Sequence, residues 1–182
     1  RGVLVGGATV GVSGRLCCMG EVGQGPGDWR FLAYLNLLMF SMLLLVLASS
    51  WLVVCVAWEL VGLSSYLLIG FWFRKRSAML AAKKAFIVNR VGDVGFALGI
   101  MAIFVNTGTL NIRDSIALLT SPTLVAFTIP VSVVALLLFM GAMGKSAQFP
   151  LHVWLPDAMA GPTPASALIP AATLVNPGVY LV

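Results

Sequence analysis

The residues of this sequence that could perform chemistry are ionisable side chains inside long apolar runs: Glu59, Arg90, Asp93 and Lys145. An uncompensated charge at the centre of a membrane helix costs about 2.5–3.5 kcal/mol on insertion scales, so each side chain needs a partner or a water-filled cavity. Ionisable groups that bear this cost mark ion and proton routes through membranes. These residues therefore form the candidate site.

Lys145 follows a long apolar run and is itself followed by Pro150 and Pro156. Proline stops a helix, and unwound backbone at membrane depth is tolerated only where protein or water covers it. The sequence thus predicts a discontinuous helix near Lys145–Pro156, with the lysine at a break of the kind where transporters place ion sites. Desolvation disfavours a charged lysine and a nearby carboxylate favours it, so Lys145 could load and release a proton. The alternative is a lysine whose stem lets its ammonium reach the membrane surface.

Glu59 follows apolar and small residues in a second apolar run, which places it well inside the hydrocarbon layer. We interpret it as a carboxylate that modulates a titratable lysine or takes the proton itself; alternatively it only ties two helices together. Arg90 and Asp93 lie three residues apart on one helix face, and Asn89 could bond Asp93. They either neutralise each other so that the helix can insert, or Asp93 belongs to a charge relay.

The single histidine, His152, lies just past the predicted break. A neutral imidazole titrates at about pH 6.5 and suits a relay, although a structural, hydrogen-bonded histidine is equally compatible. Asp157 is predicted to cap the next helix. The segment 144–146 resembles the end of a phosphate-binding loop, but Phe139 stands where that motif needs glycine, so no nucleotide site is predicted.

The elements that must position these side chains are membrane helices. Hydrophobic residues make up 60% of the chain and charged residues 9%, against about 25% charged in soluble domains. The net charge is +5, and the positive side chains lie between the apolar runs. This placement favours anionic lipid headgroups over nucleic acid as the counter-charge. Cys17, Cys18 and Cys55 have neither metal-ligand nor disulfide spacing, so no metal site is predicted.

The apolar runs predict an all-α, polytopic transmembrane helix bundle. Since a span needs about 20 mostly apolar residues, we expect about four full spans and a truncated fifth within residues 29–182, and leave residues 1–28 unplaced. The spans are two within 31–73, separated at Ser49–Ser50, then 84–105, 123–148 and a fifth from about 164. Glycines at 92, 95 and 99 predict close helix packing. Trp51 and Trp58 are interpreted as residues that pack against lipid or in the core.

Positive charges predict the orientation of the bundle. The connection between the second and third spans is expected to carry five of them: Arg74, Lys75, Arg76, Lys83 and Lys84. Such a connection lies on the cytoplasmic or matrix side of a membrane. The Ser49–Ser50 turn and residues 106–122, predicted to contain a short surface helix, then lie on the opposite side.

Several long motifs occur in an order typical of one family: WELVGLSSYLLIGF at 58–71, NRVGD at 89–93, GKSAQ at 144–148, HVWLPDAM at 152–159 and GPTPASAL at 161–168. Over about residues 29–182 the chain resembles the antiporter-like membrane subunits of respiratory complex I, NADH:quinone oxidoreductase, of the chain 5 type. That family is related to the large subunits of multisubunit cation/proton antiporters. The 89–93 motif is more similar to the complex I branch.

The resemblance implies a proton-translocating subunit in which Glu59 and Lys145 form the carboxylate–lysine pair of one half-channel. Asp93 matches an acidic residue of the same channel, and His152 and Arg90 are further relay candidates. No cofactor is implied on this chain; NADH, FMN, iron–sulfur clusters and quinone belong to partner subunits. The implied partners are other membrane-arm subunits and lipids, with no nucleic acid. The implied location is the mitochondrial inner membrane or the bacterial plasma membrane.

The sequence also departs from the family pattern. Pro170 stands where the family commonly has a histidine that would pass protons onward from Lys145, and Pro177 stands among small residues of the family. Because the chain begins with Arg1 and stops before the family's second half, we expect a fragment, a split-gene product or part of a longer protein, with the second half possibly supplied by a separate chain. A cation/proton antiporter subunit and a non-pumping structural fragment of complex I are the alternative functions.

Overall fold

The computed structural model describes residues 27–120, 129–161, 178 and 181. Within these ranges the chain is helical and has no β-strand, which confirms the all-α prediction. The elements are α1 (Asp28–Leu47), α2 (Trp51–Ile69), α3 (Arg76–Thr107), α4 (Ile112–Thr120), α5 (Val131–Lys145) and a 3₁₀-helix (Asp157–Ala160). The predictions for residues 1–26, for most of the fifth span, and for Pro170 and Pro177 lie outside the described residues.

Three helices in the described part of the chain are long and apolar enough to cross a membrane: α1 from Trp29 onward, α2 and α3. The predicted turn at Ser49–Ser50 is confirmed, because α1 ends at Leu47 and α2 begins at Trp51. The predicted fourth span corresponds to α5, a shorter apolar helix of 15 residues that ends at Lys145. The break predicted after Lys145 is therefore present in the backbone.

The third span differs from its prediction at its beginning. Helix α3 has 32 residues, which gives a length of about 48 Å, well beyond a hydrocarbon layer of about 30 Å. The segment after Phe73 is rich in alanine and has no helix breaker, so the helix extends outward to Arg76. Lys83 and Lys84 consequently lie on this helix. The sequence had suggested that they lie in the connection between the second and third spans.

An exposed ion pair joins the outer turns of α3 to the 3₁₀-helix. Nζ of Lys84 lies 2.6 Å from a carboxylate oxygen of Asp157. The prediction that Asp157 caps a helix is wrong, because its side chain makes no capping hydrogen bond at the start of the 3₁₀-helix. The extended α3 brings the ammonium of Lys84 within reach of the Asp157 carboxylate, which therefore forms an ion pair and does not cap the helix.

The opposite end of the bundle is tied together by α4. The backbone N–H of Trp51 donates to the carbonyl of Leu110, and its indole Nε1 donates to Oγ of Ser115 at 2.8 Å. The amide of Asn106 donates to the carbonyl of Ile129 at 2.8 Å and accepts from that residue's N–H at 3.1 Å. The last turn of α3 and the start of α5 therefore lie at the same level of the bundle, and the predicted short surface helix is confirmed.

The apolar core falls into two clusters of buried side chains, one toward each end of the helices. The cluster nearer the basic end contains Phe31, Leu35, Leu38, Val61, Leu68, Ile69, Ala81, Ala82, Ala85, Trp154 and Ala158. The other contains Leu45, Trp51, Val54, Ala57, Trp58, Phe96, Ile100, Ala102, Ile103 and Val134. The candidate site occupies the level between them, where α2, α3 and the end of α5 meet.

Candidate functional site

Lys145 is the last residue of α5, and its side chain is completely buried. Its Nζ lies 3.7 Å from Oδ2 of Asp93, a side chain that is 4% exposed. Neither atom has a hydrogen-bond partner among the residues that the structure describes. The two groups thus face each other as an ion pair, at a separation too long for a direct hydrogen bond.

Three glycines make this contact possible. A Cβ atom on Gly92 of α3 would lie 3.1 Å from Cα of Gly144 of α5, so the two backbones nearly touch. Asp93 and Lys145 directly follow these glycines, and the close backbone approach brings the short aspartate side chain to the lysine. Gly62 of α2 leaves room for the ammonium, since a Cβ atom there would lie 2.7 Å from Nζ.

A second ion pair joins Glu59 of α2 to Arg90 of α3. These side chains are 35% and 38% exposed, unlike the buried pair beside them. The guanidinium of Arg90 also lies 4.6 Å from the centroid of the Phe86 ring. Because charges at membrane depth face the bundle interior or a wet cavity, we expect further protein or water, and not lipid, on this side of the described bundle.

The ion pairs differ from the pairing suggested by the sequence. The spacing of Arg90 and Asp93 allowed mutual neutralisation, but Arg90 turns to Glu59 and Asp93 turns to Lys145. Glu59 lies one helical turn before Gly62, so it remains within electrostatic range of Lys145, although Arg90 is its ion-pair partner. In the structure Lys145 thus pairs with Asp93 and Glu59 with Arg90, and a functional pairing of Glu59 with Lys145 stays a prediction.

Asn89 does not serve Asp93 in the way the sequence suggested. Its amide nitrogen donates to the carbonyl of Ala85 at 3.0 Å, within the same helix. Its Oδ1 is buried and has no hydrogen-bond partner among the described residues. Asn89 therefore adds an open acceptor on the face of α3 that carries Asp93.

Trp58 makes the polar contact that Asn89 lacks. Its indole Nε1 donates to Oδ1 of Asp93 at 2.7 Å, and its ring stacks on Phe96 with centroids 4.6 Å apart. Nζ of Lys145 lies 5.7 Å from the centroid of the same indole. From the sequence, Trp58 is interpreted as packing against lipid or in the core; the signal for its polar contact is that a buried indole N–H needs an acceptor.

His152 lies outside this cluster of charges. It is exposed in the irregular segment after α5, its ring stacks on Phe149 at 5.9 Å, and it makes no ion pair with the other candidate residues in the described ranges. The nearby Trp154 is fully buried and donates from Nε1 to the carbonyl of Gly144 at 3.1 Å. This contact satisfies one of the carbonyls left open where α5 ends beside Lys145.

The buried pair lies at membrane depth. Asp93 is fourteen residues before the end of α3 at Thr107, and Lys145 is fourteen residues after the start of α5 at Val131. At 1.5 Å per residue, each lies about 21 Å from the end of the bundle that α4 closes. Both charges therefore lie inside a hydrocarbon layer of about 30 Å, at a helix break of the type that binds ions in transporters.

Comparisons with known proteins identify the family of the chain. The family model described as "NADH:quinone oxidoreductase/Mrp antiporter, TM" matches residues 48–182. The chloroplast NAD(P)H-quinone oxidoreductase subunit 5 of Zygnema circumcarinatum is 54% identical over 177 residues, which covers 96% of this chain and 25% of that protein. NADH-quinone oxidoreductase subunit L of Mycobacterium tuberculosis is 51% identical over 164 residues, covering 90% of this chain and 25% of that protein.

A bacterial relative from another lineage gives the same result. NADH-quinone oxidoreductase subunit L of Rickettsia felis is 53% identical over 167 residues, which covers 90% of this chain and 26% of that protein. The chain spans about a quarter of the length of the curated relatives it matches. With its apolar spanning helices, it is an integral membrane protein that belongs to the NADH:quinone oxidoreductase/Mrp antiporter transmembrane family.

Proposed function

We propose that this chain is part of a proton-translocating membrane subunit of NADH:quinone oxidoreductase, in which Lys145 carries the proton. The observation that carries the proposal is the buried Lys145–Asp93 pair, 3.7 Å apart and without hydrogen bonds among the described residues. A lysine that is fully hydrogen-bonded would be held in one protonation state. Among the described residues, Lys145 has a nearby counter-charge but no hydrogen bond, so its charge depends on the state of that neighbour.

The proposed mechanism uses a change in the counter-charge. While Asp93 is ionised and faces Lys145, the ammonium is stabilised and the proton is held on Nζ. When Asp93 moves away or is neutralised, an uncompensated ammonium remains in apolar surroundings, and the lysine releases its proton to an adjacent acceptor. Glu59 modulates this step, because its negative charge is shared between its partner Arg90 and the nearby Lys145.

Redox chemistry takes place elsewhere in this proposal. The named relatives are subunits of quinone oxidoreductases, and this chain would contribute proton movement and no bond chemistry. NADH, FMN, iron–sulfur clusters and quinone would be bound by partner subunits of the same complex. The relatives come from bacteria and chloroplasts, so the host membrane could also be one other than the two expected from the sequence.

The direct test is Lys145→Ala in the complete complex that contains this chain. We expect fewer protons pumped per NADH oxidised, with NADH oxidation itself retained in uncoupled membranes. Lys75→Ala is the matched control, because Lys75 is exposed near the membrane surface with its ammonium over the Trp72 ring. Unchanged pumping by a fully assembled Lys145→Ala complex would contradict the proposal and favour a non-pumping structural role.

A cation/proton antiporter subunit is the second candidate, since the matching family also includes the Mrp antiporters. A native gel of detergent-solubilised membranes, stained for NADH dehydrogenase activity and analysed by peptide mapping, separates the two functions. Peptides of this chain in the large NADH-oxidising band support the oxidoreductase. Peptides confined to bands without that activity favour the antiporter, and cation-dependent proton flux would then be measured.

A further inference from the structure

Two consecutive residues of α2 engage both charged residues on the facing side of α3. Glu59 forms the ion pair with Arg90, and its neighbour Trp58 donates to Asp93. Arg90 and Asp93 are three residues apart, so both lie on one face of α3, opposite α2. A shift of α2 against α3 therefore changes both contacts together.

The Trp58 hydrogen bond determines which oxygen of Asp93 is left for Lys145. The indole N–H occupies Oδ1 at 2.7 Å, and Oδ2 alone faces the ammonium at 3.7 Å. Stacking on Phe96, with 20° between the ring planes, fixes the plane of the indole and hence the direction of its N–H. Trp58 is only 1% exposed, so this bond lies away from bulk solvent.

We propose that Trp58 is a positioning residue that holds Asp93 as an oriented, ionised counter-charge for Lys145. This inference rests on the proposed function, in which Lys145 carries the proton. Trp58 does not exchange protons itself; it acts through Asp93, by donating a hydrogen bond to the charged carboxylate. A hydrogen bond of this kind favours the ionised form of the acid that accepts it.

Loss of the indole N–H predicts a change in the pH dependence of pumping. The charged groups that face Lys145 from the described helices are Asp93 and Arg90 on α3 and Glu59 on α2. Without the Trp58 hydrogen bond the carboxylate of Asp93 supports the ammonium less well. The alkaline limb of the pumping profile should therefore move toward lower pH.

The experiment compares Trp58→Phe with Trp51→Phe in the complete complex, measuring protons pumped per NADH across a pH series. The control makes the same substitution in the same helix and also removes an indole hydrogen bond to a buried side chain, that of Ser115. Both variants leave a similar gap in the core, but only Trp58→Phe alters the counter-charge. We expect the wild-type profile for Trp51→Phe and the shifted profile for Trp58→Phe.

Identical profiles for the two variants would overturn the inference. If Trp58→Phe does not assemble, Phe96→Leu replaces it, because this change removes the stacking partner and leaves the indole N–H and every charge in place. A smaller shift in the same direction supports the inference. An unshifted profile, or failure of both variants to assemble, would contradict it and assign Trp58 to packing.

The outcome can be separated from failure of the proposed function. If Lys145→Ala pumps normally in the same assay, the proton-carrying role of the lysine fails whatever Trp58→Phe does. If Lys145→Ala loses pumping while Trp58→Phe behaves like Trp51→Phe, only the positioning role fails.

Discussion

The ammonium of Lys145 fits beside α2 because Gly62 has no side chain. Gly62 lies against the ammonium, and a methyl group there would be 2.7 Å from Nζ. The lysine stem is flexible, so it can yield without disturbing the helices. The position of the charge relative to Asp93 thus depends on the smallest possible side chain in α2.

Gly62→Ala should therefore impair proton pumping while the complex still assembles. The added methyl displaces Nζ from its place opposite Oδ2 of Asp93, which weakens the ion pair. The measurement is protons pumped per NADH, with Gly161→Ala as the control, since a Cβ atom at Gly161 would make ordinary contacts of 3.4 Å or more. Equal pumping by the two variants would show that the fit at Gly62 has no functional role.

The charged residues were found from the sequence, but their partners were not. Glu59, Arg90, Asp93 and Lys145 are conspicuous because charge is costly inside apolar runs. Local spacing suggested that Arg90 binds Asp93, whereas the observed pairs depend on how α2 and α5 are placed against α3. That placement follows from glycine contacts between helices distant in sequence, which local spacing does not encode.

At the scale of the elements, the contact between α3 and α5 is the one on which the site depends. The glycines predicted from helical spacing all face α5: a Cβ atom on Gly92 would meet backbone of Gly144 and Met140, and one on Gly99 would meet Leu138. Small residues permit such close approach in membranes. The sequence therefore predicted the packing surface of α3 correctly, without identifying the helix that packs on it.

Gly92→Ala should separate the two helices at the level of the buried pair. Its Cβ atom would lie 3.1 Å from backbone atoms, which cannot move aside, and overpacking of this kind typically costs about 1–3 kcal/mol. Gly161→Ala is the control, because a Cβ atom there would lie 3.4 Å or more from its neighbours. Both thermal stability of the complex and pumping should fall more for Gly92→Ala; the reverse order would contradict the packing account.

At the scale of the whole molecule, the basic residues predict which way the bundle faces. The connection between α2 and α3 carries Arg74 and Lys75, and the first residue of α3 is Arg76. The exposed outer turns of α3 add Lys83 and Lys84. The extension of α3 places Lys83 and Lys84 on the helix instead of in the connection, but all these basic residues remain at the same end of the bundle. This end is therefore still predicted to lie on the cytoplasmic or matrix side of the membrane.

Cysteine labelling tests this orientation. Arg74→Cys and Arg113→Cys place thiols at exposed positions at the two ends, in a chain whose native cysteines are replaced by serine. A membrane-impermeant thiol reagent should label position 74 only from the cytoplasmic or matrix side and position 113 only from the other side. Labelling in the opposite pattern would show that the bundle is inverted, and labelling of both from one side would contradict the spanning arrangement.

In the proposed mechanism Asp93, and not Glu59, is the direct counter-charge of a proton-carrying Lys145. The most direct test is the number of protons pumped per NADH by Asp93→Asn, Glu59→Gln, Lys145→Ala and the double variant Asp93→Asn/Lys145→Ala. Removing one partner of a buried ion pair typically costs about 3–5 kcal/mol, because the other charge is left uncompensated. We predict that Asp93→Asn loses as much pumping as Lys145→Ala, that the double variant loses no more, and that Glu59→Gln loses less. Wild-type pumping by Asp93→Asn, with a severe loss in Glu59→Gln, would contradict the account.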